Sequence, residues 1–387
     1  MASADQPLDL LSPEVMADPA SAYRRLYSGA KVYHYPNFNP PFYIAYRYRD
    51  VETMLRDPSL FLSGQGQGPN FSQASGVVSD PPDHTFYRSL VQDVFQPAAI
   101  AALEPELRGI AEAALGEVAG QETWDLHDTL AFPLPIRIIC RLLGIPQDDI
   151  WQFKHWSDAA VAALASEDAG QFAEMTDALS NYILDLIRQK RAAPDESLIS
   201  RIAAGSRDDQ PIPDSEAVSL VSQMFVAGNE TTTSLITNFV WRLMRQDRWQ
   251  DFVAGALELD DTINESLRYD PPLLALFRTT AKDLTLNGCD IPAGSKVMMH
   301  FGAANRDPDI FADPDRFIPG RAGPRSLSFG LGIHSCLGKE LARLETRIAL
   351  DTLRQHFPDL RLVNDGERIA PFIFWGRSKL PVKNLNH

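Results

Sequence analysis

Residues 214–245, DSEAVSLVSQMFVAGNETTTSLITNFVWRLMR, follow prolines 211 and 213 and read as one unbroken helix capped by Asp214 or Ser215. At ~1.5 Å per residue such a helix is ~50 Å long, enough to cross the whole molecule, so the other elements must be arranged around it. Its ends are apolar, but its middle reads AGNETTT, Ala227 to Thr233. Met224, Ala227, Gly228 and Thr231 fall at i, i+3, i+4 and i+7, a stripe of mostly small side chains ending in a hydroxyl. A mid-helix glycine costs about 1 kcal/mol against alanine, so something should offset it. A close helix–helix contact would do so, and so would a ligand that needs the room.

A chain of 387 residues, 44% hydrophobic and 22% charged, can bury a large core. No repeat or linker divides it, and residues 1–387 read as a single domain. Helical patterning runs from Pro82 to about Gln246, punctuated by prolines. Before it, YIAYRYRDVETML (43–55) reads as a short strand feeding a helix, and the Gly/Ser/Gln-rich stretch 60–79 as a mobile loop of the kind that borders binding sites. After it, Asn287-Gly288 in TLNGCDI signals a tight hairpin, and KVMMHF another strand. The predicted class is mainly α with small β-sheets. The first 26 residues have neither a basic leader nor a long apolar run, which speaks against a signal peptide or membrane anchor. A net charge of -15 argues against a general nucleic-acid binder. Three widely spaced cysteines, Cys140, Cys289 and Cys336, fit a reducing cytoplasm better than a disulfide framework.

Cys336 lies in SFGLGIHSCLG, Ser328 to Gly338. Taken alone, a cysteine in apolar surroundings is a small buried hydrophobe. Directly downstream, Leu337, Leu341, Leu344 and Ile348 mark one helical face, which puts Cys336 at or just before a helix N-terminus. There the dipole and free N–H groups favour a thiolate. Gly330, Gly332 and Gly338 let the backbone press against something flat or bulky. A zinc site lacks a second cysteine nearby. A cysteine nucleophile would need a distant histidine that spacing does not identify.

FGLGIHSCLG, Phe329 to Gly338, resembles at every position the haem-binding loop of the haem-thiolate monooxygenases, the cytochromes P-450. The resemblance implies that family's fold, with haem b (iron protoporphyrin IX) buried between the long distal helix and the helix after the cysteine. It implies Cys336 as the axial iron ligand, with Phe329 and Gly330 in the loop against the haem, and a thiolate that favours O–O cleavage. AGNETTT is similar to the family's distal motif, in which Ala227 and Gly228 leave room for dioxygen while Glu230 and Thr231 organise proton delivery. DPPDHTFYR places His84 and Arg88 at i, i+4, readable as a solvated face. In the family that face meets a haem propionate, as do residues matching Arg278 and His334. INESLRYDPP carries Glu265 and Arg268, readable as a surface ion pair. It is also similar to the family's structural Glu-x-x-Arg signature, which a later arginine joins, expected to be Arg316. The matches run in family order from about Asp80 to beyond Cys336.

By the family's layout the substrate is expected to meet Val78, Met224, Ala227, Leu274 and Phe374, an apolar set that implies an apolar small organic substrate. Residues 321–347 hold five basic side chains (Arg321, Arg325, Lys339, Arg343, Arg347) against two acidic ones, in a chain that is acidic overall. That segment reads either as an ordinary solvated face or as a patch steering an acidic [2Fe-2S] or similar ferredoxin. The expected activity is hydroxylation of a substrate with one atom of dioxygen, by a cytoplasmic monomer. A hydrogen-peroxide-dependent peroxygenase and a non-catalytic haem sensor or electron carrier remain as alternatives.

Overall fold

The computed structural model describes residues 9–29, 31–147 and 150–385, so the part of the leader reading that concerns residues 1–8 lies outside the described residues. The long helix forms as one element, Asp214–Arg245. Its start departs from expectation: Pro213 precedes the first turn and no side chain caps it, because Asp214 is drawn into ion pairs with Arg191 and Arg188. Helices Pro133–Leu143, Ile150–Ala165, Ala173–Ala192 and Lys339–His356 pack around it. Ala217, Leu220, Val221 and Phe225 are buried before its middle, and every residue from Thr232 to Val240 after it. Between these stretches Ala227 is exposed and Thr231 half-buried, so the helix borders open space at mid-length. Gly228 has a different reason to be small. A Cβ there would stand 3.1 Å from Ile139 of the helix Pro133–Leu143, so helix–helix contact accounts for this glycine.

The larger sheet has five strands in the order Val32–Tyr35, Phe42–Ala45, Lys296–His300, Ala275–Thr280 and Phe61–Leu62. All its pairings are antiparallel except that of Lys296–His300 with Phe42–Ala45. Leu284–Leu286 and Cys289–Ile291 form the expected hairpin, with Asn287 and Gly288 both at positive φ, as a two-residue turn requires. Among the described residues no helix is long and apolar enough to cross a membrane.

Glu265 and Arg268 lie on the helix Leu259–Tyr269, but they are not a surface pair; both side chains are 3% exposed. Arg268 meets the carboxylate through Nε and Nη2, each at 2.8 Å, and donates to the carbonyls of Asn305, Pro314 and Arg316. The arginine that joins them is Arg321, not Arg316. Arg321 is 10% exposed and reaches Glu265 at 3.4 Å, whereas Arg316 is 74% exposed, faces Asp313, and contributes only its carbonyl. The chain turns at Gly320, with φ +74°, five residues beyond Asp315, and so brings the later arginine inward. Glu265 keeps Arg268 when Arg321 is removed, so what is lost is the added bond to the carboxylate and the hold on nearby carbonyls. Arg321→Ala should therefore cost about 2 kcal/mol of unfolding free energy, and Arg316→Ala less than about 0.5 kcal/mol. Urea denaturation of the two variants checks the order, and the reverse order would reinstate Arg316.

Candidate active site

The loop before the helix Lys339–His356 is built by its backbone. Gly330 N–H bonds to the Leu327 carbonyl at 2.8 Å, and Cys336 N–H to the Phe329 carbonyl at 2.7 Å. Gly330 and Gly332 both have positive φ, and a Cβ on Gly332 would stand 2.6 Å from the Leu55 carbonyl, so the loop rests directly on the helix Tyr48–Arg56. Cys336 lies two residues before the cap, Gly338, rather than on the first turn. It keeps some solvent access but is deep in the protein, and burial raises its thiol; the Gly338 backbone, Arg88 and Lys339 pull the other way. The expected thiolate bias is thus present in these groups but outweighed by desolvation in the protein alone.

The structure brings His84, Arg88, Arg278 and His334 to one region. The imidazoles of His84 and His334 meet edge to face with centroids 4.4 Å apart, and Arg88 donates to the carbonyl of Ser335, next to Cys336. Both ring nitrogens of His84 and Nδ1 of His334 are buried without a well-formed hydrogen bond, although the backbone of Ile333 and of Val77 lies close to the respective ring. Arg278 is 3% exposed and donates to the carbonyl of its own neighbour, Phe277. Lys296, one strand over, is 1% exposed and donates to the carbonyls of Gln65 and Gly66. Burial lowers Arg278 to about 10, Lys296 to about 8 and His334 to about 3. Among the described residues none of these five forms an ion pair with a carboxylate of the chain. Asp80, the acid that does bias Arg278, spends its oxygens on the N–H groups of Ser63 and Gly64. Buried cationic groups without acid partners call for an anion from elsewhere.

On the long helix Thr231 and Glu230 point apart. Thr231 donates to the carbonyl of Ala227 one turn back, at 3.0 Å, on the accessible side. Glu230 is 4% exposed and accepts from Ser234 at 3.2 Å; burial raises it to about 7, and the charge of Asp158 adds to the rise while Lys154 opposes it. The two side chains expected to work as a pair do not touch, so a proton passing between them needs an intermediary.

Comparison with known proteins places this geometry. The family model described as Cytochrome P450 matches residues 258–375. An erythromycin C-12 hydroxylase of Saccharopolyspora erythraea is 36% identical over 87% of this chain and 88% of its own length. A vitamin D(3) 25-hydroxylase of Pseudonocardia autotrophica is 35% identical over 97% of this chain and 96% of its own. A Bacillus megaterium enzyme solved with testosterone superposes with a TM-score of 0.89 at 30% identity, covering 97% of this chain and 100% of that one. The chain belongs to the cytochrome P450 family.

As a P450 monooxygenase it uses a haem-thiolate cofactor, and its own residues suit one. The His84 and His334 nitrogens without a well-formed hydrogen bond and the acid-free Arg278 match two carboxylates in need of donors. Of the pocket residues, Met224 is buried against the helical core and Val78 closes the short turn Gly76–Val78. Phe374 pairs with Leu273 across an isolated bridge, in an apolar cluster that includes Val226 and Leu164. Leu274 is a correction. It sits 3.0 Å from where a Cβ on Gly302 would be and lines an outer cleft of about 390 Å³ beside Asp18 and Tyr23, so Leu273 is the neighbour that joins Phe374.

The segment read as a mobile loop is instead tied by side chains, from Asp80, Lys296 and Gln223 among others. The basic segment is also less basic than its composition. Arg321 is consumed by Glu265, and Arg347 is held by both oxygens of Asp260. Sequence reasoning missed Asn305, Lys296 and Gln223, because each acts on backbone groups far away in the chain.

It also missed Glu345, on the inner face of the helix Lys339–His356. Glu345 is 1% exposed with neither oxygen in a well-formed hydrogen bond, although Thr232 lies close enough to favour the charged form. Burial raises its carboxyl from 4.5 to about 8. Between those values the native state keeps a proton that the unfolded chain has released. Stability from this group is therefore complete below about pH 4.5 and lost as pH rises through about 8. Glu345→Gln should melt several degrees above the parent at pH 8 and together with it at pH 4.5, in thermal scans across that range. Parallel curves at all pH values would rule the buried carboxyl out as the source.

Proposed function

We propose that this chain, acting as a single-domain cytoplasmic monomer, hydroxylates an apolar small organic substrate with one atom of dioxygen. It holds haem b and takes electrons from NAD(P)H through a separate ferredoxin reductase and a [2Fe-2S] or similar ferredoxin. The observation that carries the reading is the convergence of Cys336 with buried basic side chains that no carboxylate of the described residues pairs with, near a mid-helix opening that bears a hydroxyl. Bound haem would supply electron transfer to dioxygen and the cleavage of its O–O bond. The chain's residues hold and supply it. Cys336 is the iron ligand, fixed by its N–H bond to Phe329, with Phe329 and Gly330 shaping the loop. His84, Arg88, Arg278 and His334 meet the propionates.

Glu230, with a carboxyl near 7, can both take and give a proton at neutral pH, which suits a relay better than a fully ionised acid would. Ser234 orients it, and the Lys154–Asp158 pair lies within electrostatic reach on the next helix. Thr231, accessible with Ala227, holds the receiving end of the relay through water. The apolar set Val78, Met224, Ala227, Leu273 and Phe374 supports an apolar substrate. Relatives named as an erythromycin C-12 hydroxylase and a vitamin D(3) 25-hydroxylase support hydroxylation as the reaction. The acid and hydroxyl of the distal helix favour dioxygen over peroxide as the oxidant.

Three measurements test the reading. The reduced, CO-bound parent should show the red-shifted Soret band of thiolate ligation and Cys336→Ala should lose it; a retained band would move the ligand to Cys140 or Cys289. Thr231→Ala should keep consuming NADH in a ferredoxin-coupled assay while giving severalfold less product and correspondingly more hydrogen peroxide. Wild-type coupling in that variant would take Thr231 out of the relay. For the partner, Arg325 and Lys339 are exposed and, unlike the exposed Arg347, not held by both oxygens of an acid; Glu340 holds Lys339 only loosely, at 3.7 Å. Arg325→Glu with Lys339→Glu should slow reduction by an acidic ferredoxin about tenfold at low salt and flatten its salt dependence, since exposed charges are screened beyond ~10 Å at 0.1 M. Equal rates at low salt would remove this face as the docking site.

A further inference from the structure

The loop 63–80 has little regular structure beyond the turn Gly76–Val78, yet side chains from separate elements hold its backbone. Asp80 accepts from Ser63 N–H at 2.8 Å and Gly64 N–H at 2.9 Å, and Lys296 donates to the Gln65 and Gly66 carbonyls at 2.7 and 2.8 Å. A further tie comes from the long helix. Gln223 accepts the Val77 N–H through Oε1 at 3.1 Å and donates Nε2 to the Ser75 carbonyl at 2.7 Å, so one amide grips both sides of Gly76. Ser219, one turn earlier, lies 2.9 Å from the same Nε2 and fixes the rotamer. Gly76 has φ +69°, and a Cβ there would stand 2.5 Å from Gln223 Oε1. The loop backbone lies directly on the amide.

Gripping a carbonyl and an N–H two residues apart takes a side chain with donor and acceptor side by side, which an amide has and a carboxylate lacks. Ser219, Gln223, Ala227 and Thr231 recur every four residues and so share one helix face. The grip is therefore two turns from Thr231, on the face that carries the exposed Ala227. On its other flank, the Val77 carbonyl lies beside His334 of the cysteine loop and favours the charged imidazole. We propose that Gln223 is a positioning residue that fixes Ser75–Val78 against the long helix and so sets the outer wall of the opening beside Thr231, favouring ligands large enough to pack against that wall. The selection of ligands rests on the haem-thiolate reading above; the grip itself does not.

Gln223→Leu keeps the volume and removes both bonds. In amide hydrogen exchange, with and without haem, Val77 should exchange about tenfold faster, the worth of one ordinary hydrogen bond. Ser63 and Gly64 should not change, because Asp80 still holds them. Unchanged exchange at Val77 would overturn the grip whatever the cofactor chemistry. On the haem-loaded protein, Soret titration with imidazole should give the parental affinity, while 4-phenylimidazole should bind about tenfold more weakly. Gln223→Glu, which keeps the acceptor for Val77 but sets an oxygen against the Ser75 carbonyl, should fall between. Equal affinities for the phenyl ligand would overturn the selective role, and so would equal weakening of both ligands, which signals general damage to the haem site. Failure of the haem-thiolate reading would show separately, as the missing red-shifted band in the parent protein.

Discussion

The cysteine loop depends on a buried ion pair that does not touch it. Glu265 and Arg268 are both out of water, a cost that their mutual attraction alone does not recover. Their remaining groups are all used. Glu265 also accepts from Ile318 N–H at 2.7 Å, and Arg268 holds the carbonyls of Asn305, Pro314 and Arg316. Asn305 passes this order on. Its side chain accepts from Leu327 N–H and donates to Ser328 Oγ, and Ser328 bonds back to the Leu267 carbonyl on the helix of the ion pair. The residues that enter the loop before Phe329 are thereby fixed to the helix that carries the pair. The pair matters less for its own energy than for leaving the irregular stretch 305–328 one arrangement that satisfies every charge.

The same economy explains why the two buried carboxyls differ in consequence. Glu230 has Ser234 as a hydrogen-bond donor, which offsets part of the effect of burial. Glu345 is fully buried with no well-formed bond, only Thr232 close by, so its proton is held more strongly. A group that exchanges protons readily is useful beside a reacting site, and one that holds its proton is a neutral packing element. Environment separates the two, not residue type.

Much of this was legible in the sequence. The long helix, the hairpin at Asn287-Gly288 and the cysteine loop rest on local rules of period, turn chemistry and spacing, and the structure has each of them. His84, Arg88, Arg278 and His334 could be named from short patterns, and they do come together. What stayed hidden depends on the path of irregular chain. Arg316 and Arg321 are both arginines after a Pro/Asp-rich stretch, and only the turn at Gly320 determines which reaches Glu265. Leu273 and Leu274 are equally apolar, and the bridge to Phe374 decides between them. Gly228 fits a helix contact and a ligand equally well in the sequence, and the position of Ile139 accounts for it by the contact. The tie from Gln223 joins residues 146 positions apart through backbone atoms, which leave no mark on residue identity.

Charge completes the argument. The chain is acidic overall, and its surface arginines are largely absorbed by neighbouring acids, as Arg347 is by Asp260. Beside the cysteine loop it is the bases that stand alone: among the described residues Arg278, Lys296 and two imidazoles form no ion pair with a carboxylate. Desolvation lowers all four, so keeping them charged in this interior carries a cost. A bound dianionic group would relieve it, and whatever binds only the folded state also stabilises that state. Lys296 carries the effect outward, because the ammonium that would feel Arg278 neutralised is the one that holds the Gln65–Gly66 turn. Cofactor capture, order in the substrate-side loop and stability of the fold therefore draw on one set of unpaired charges.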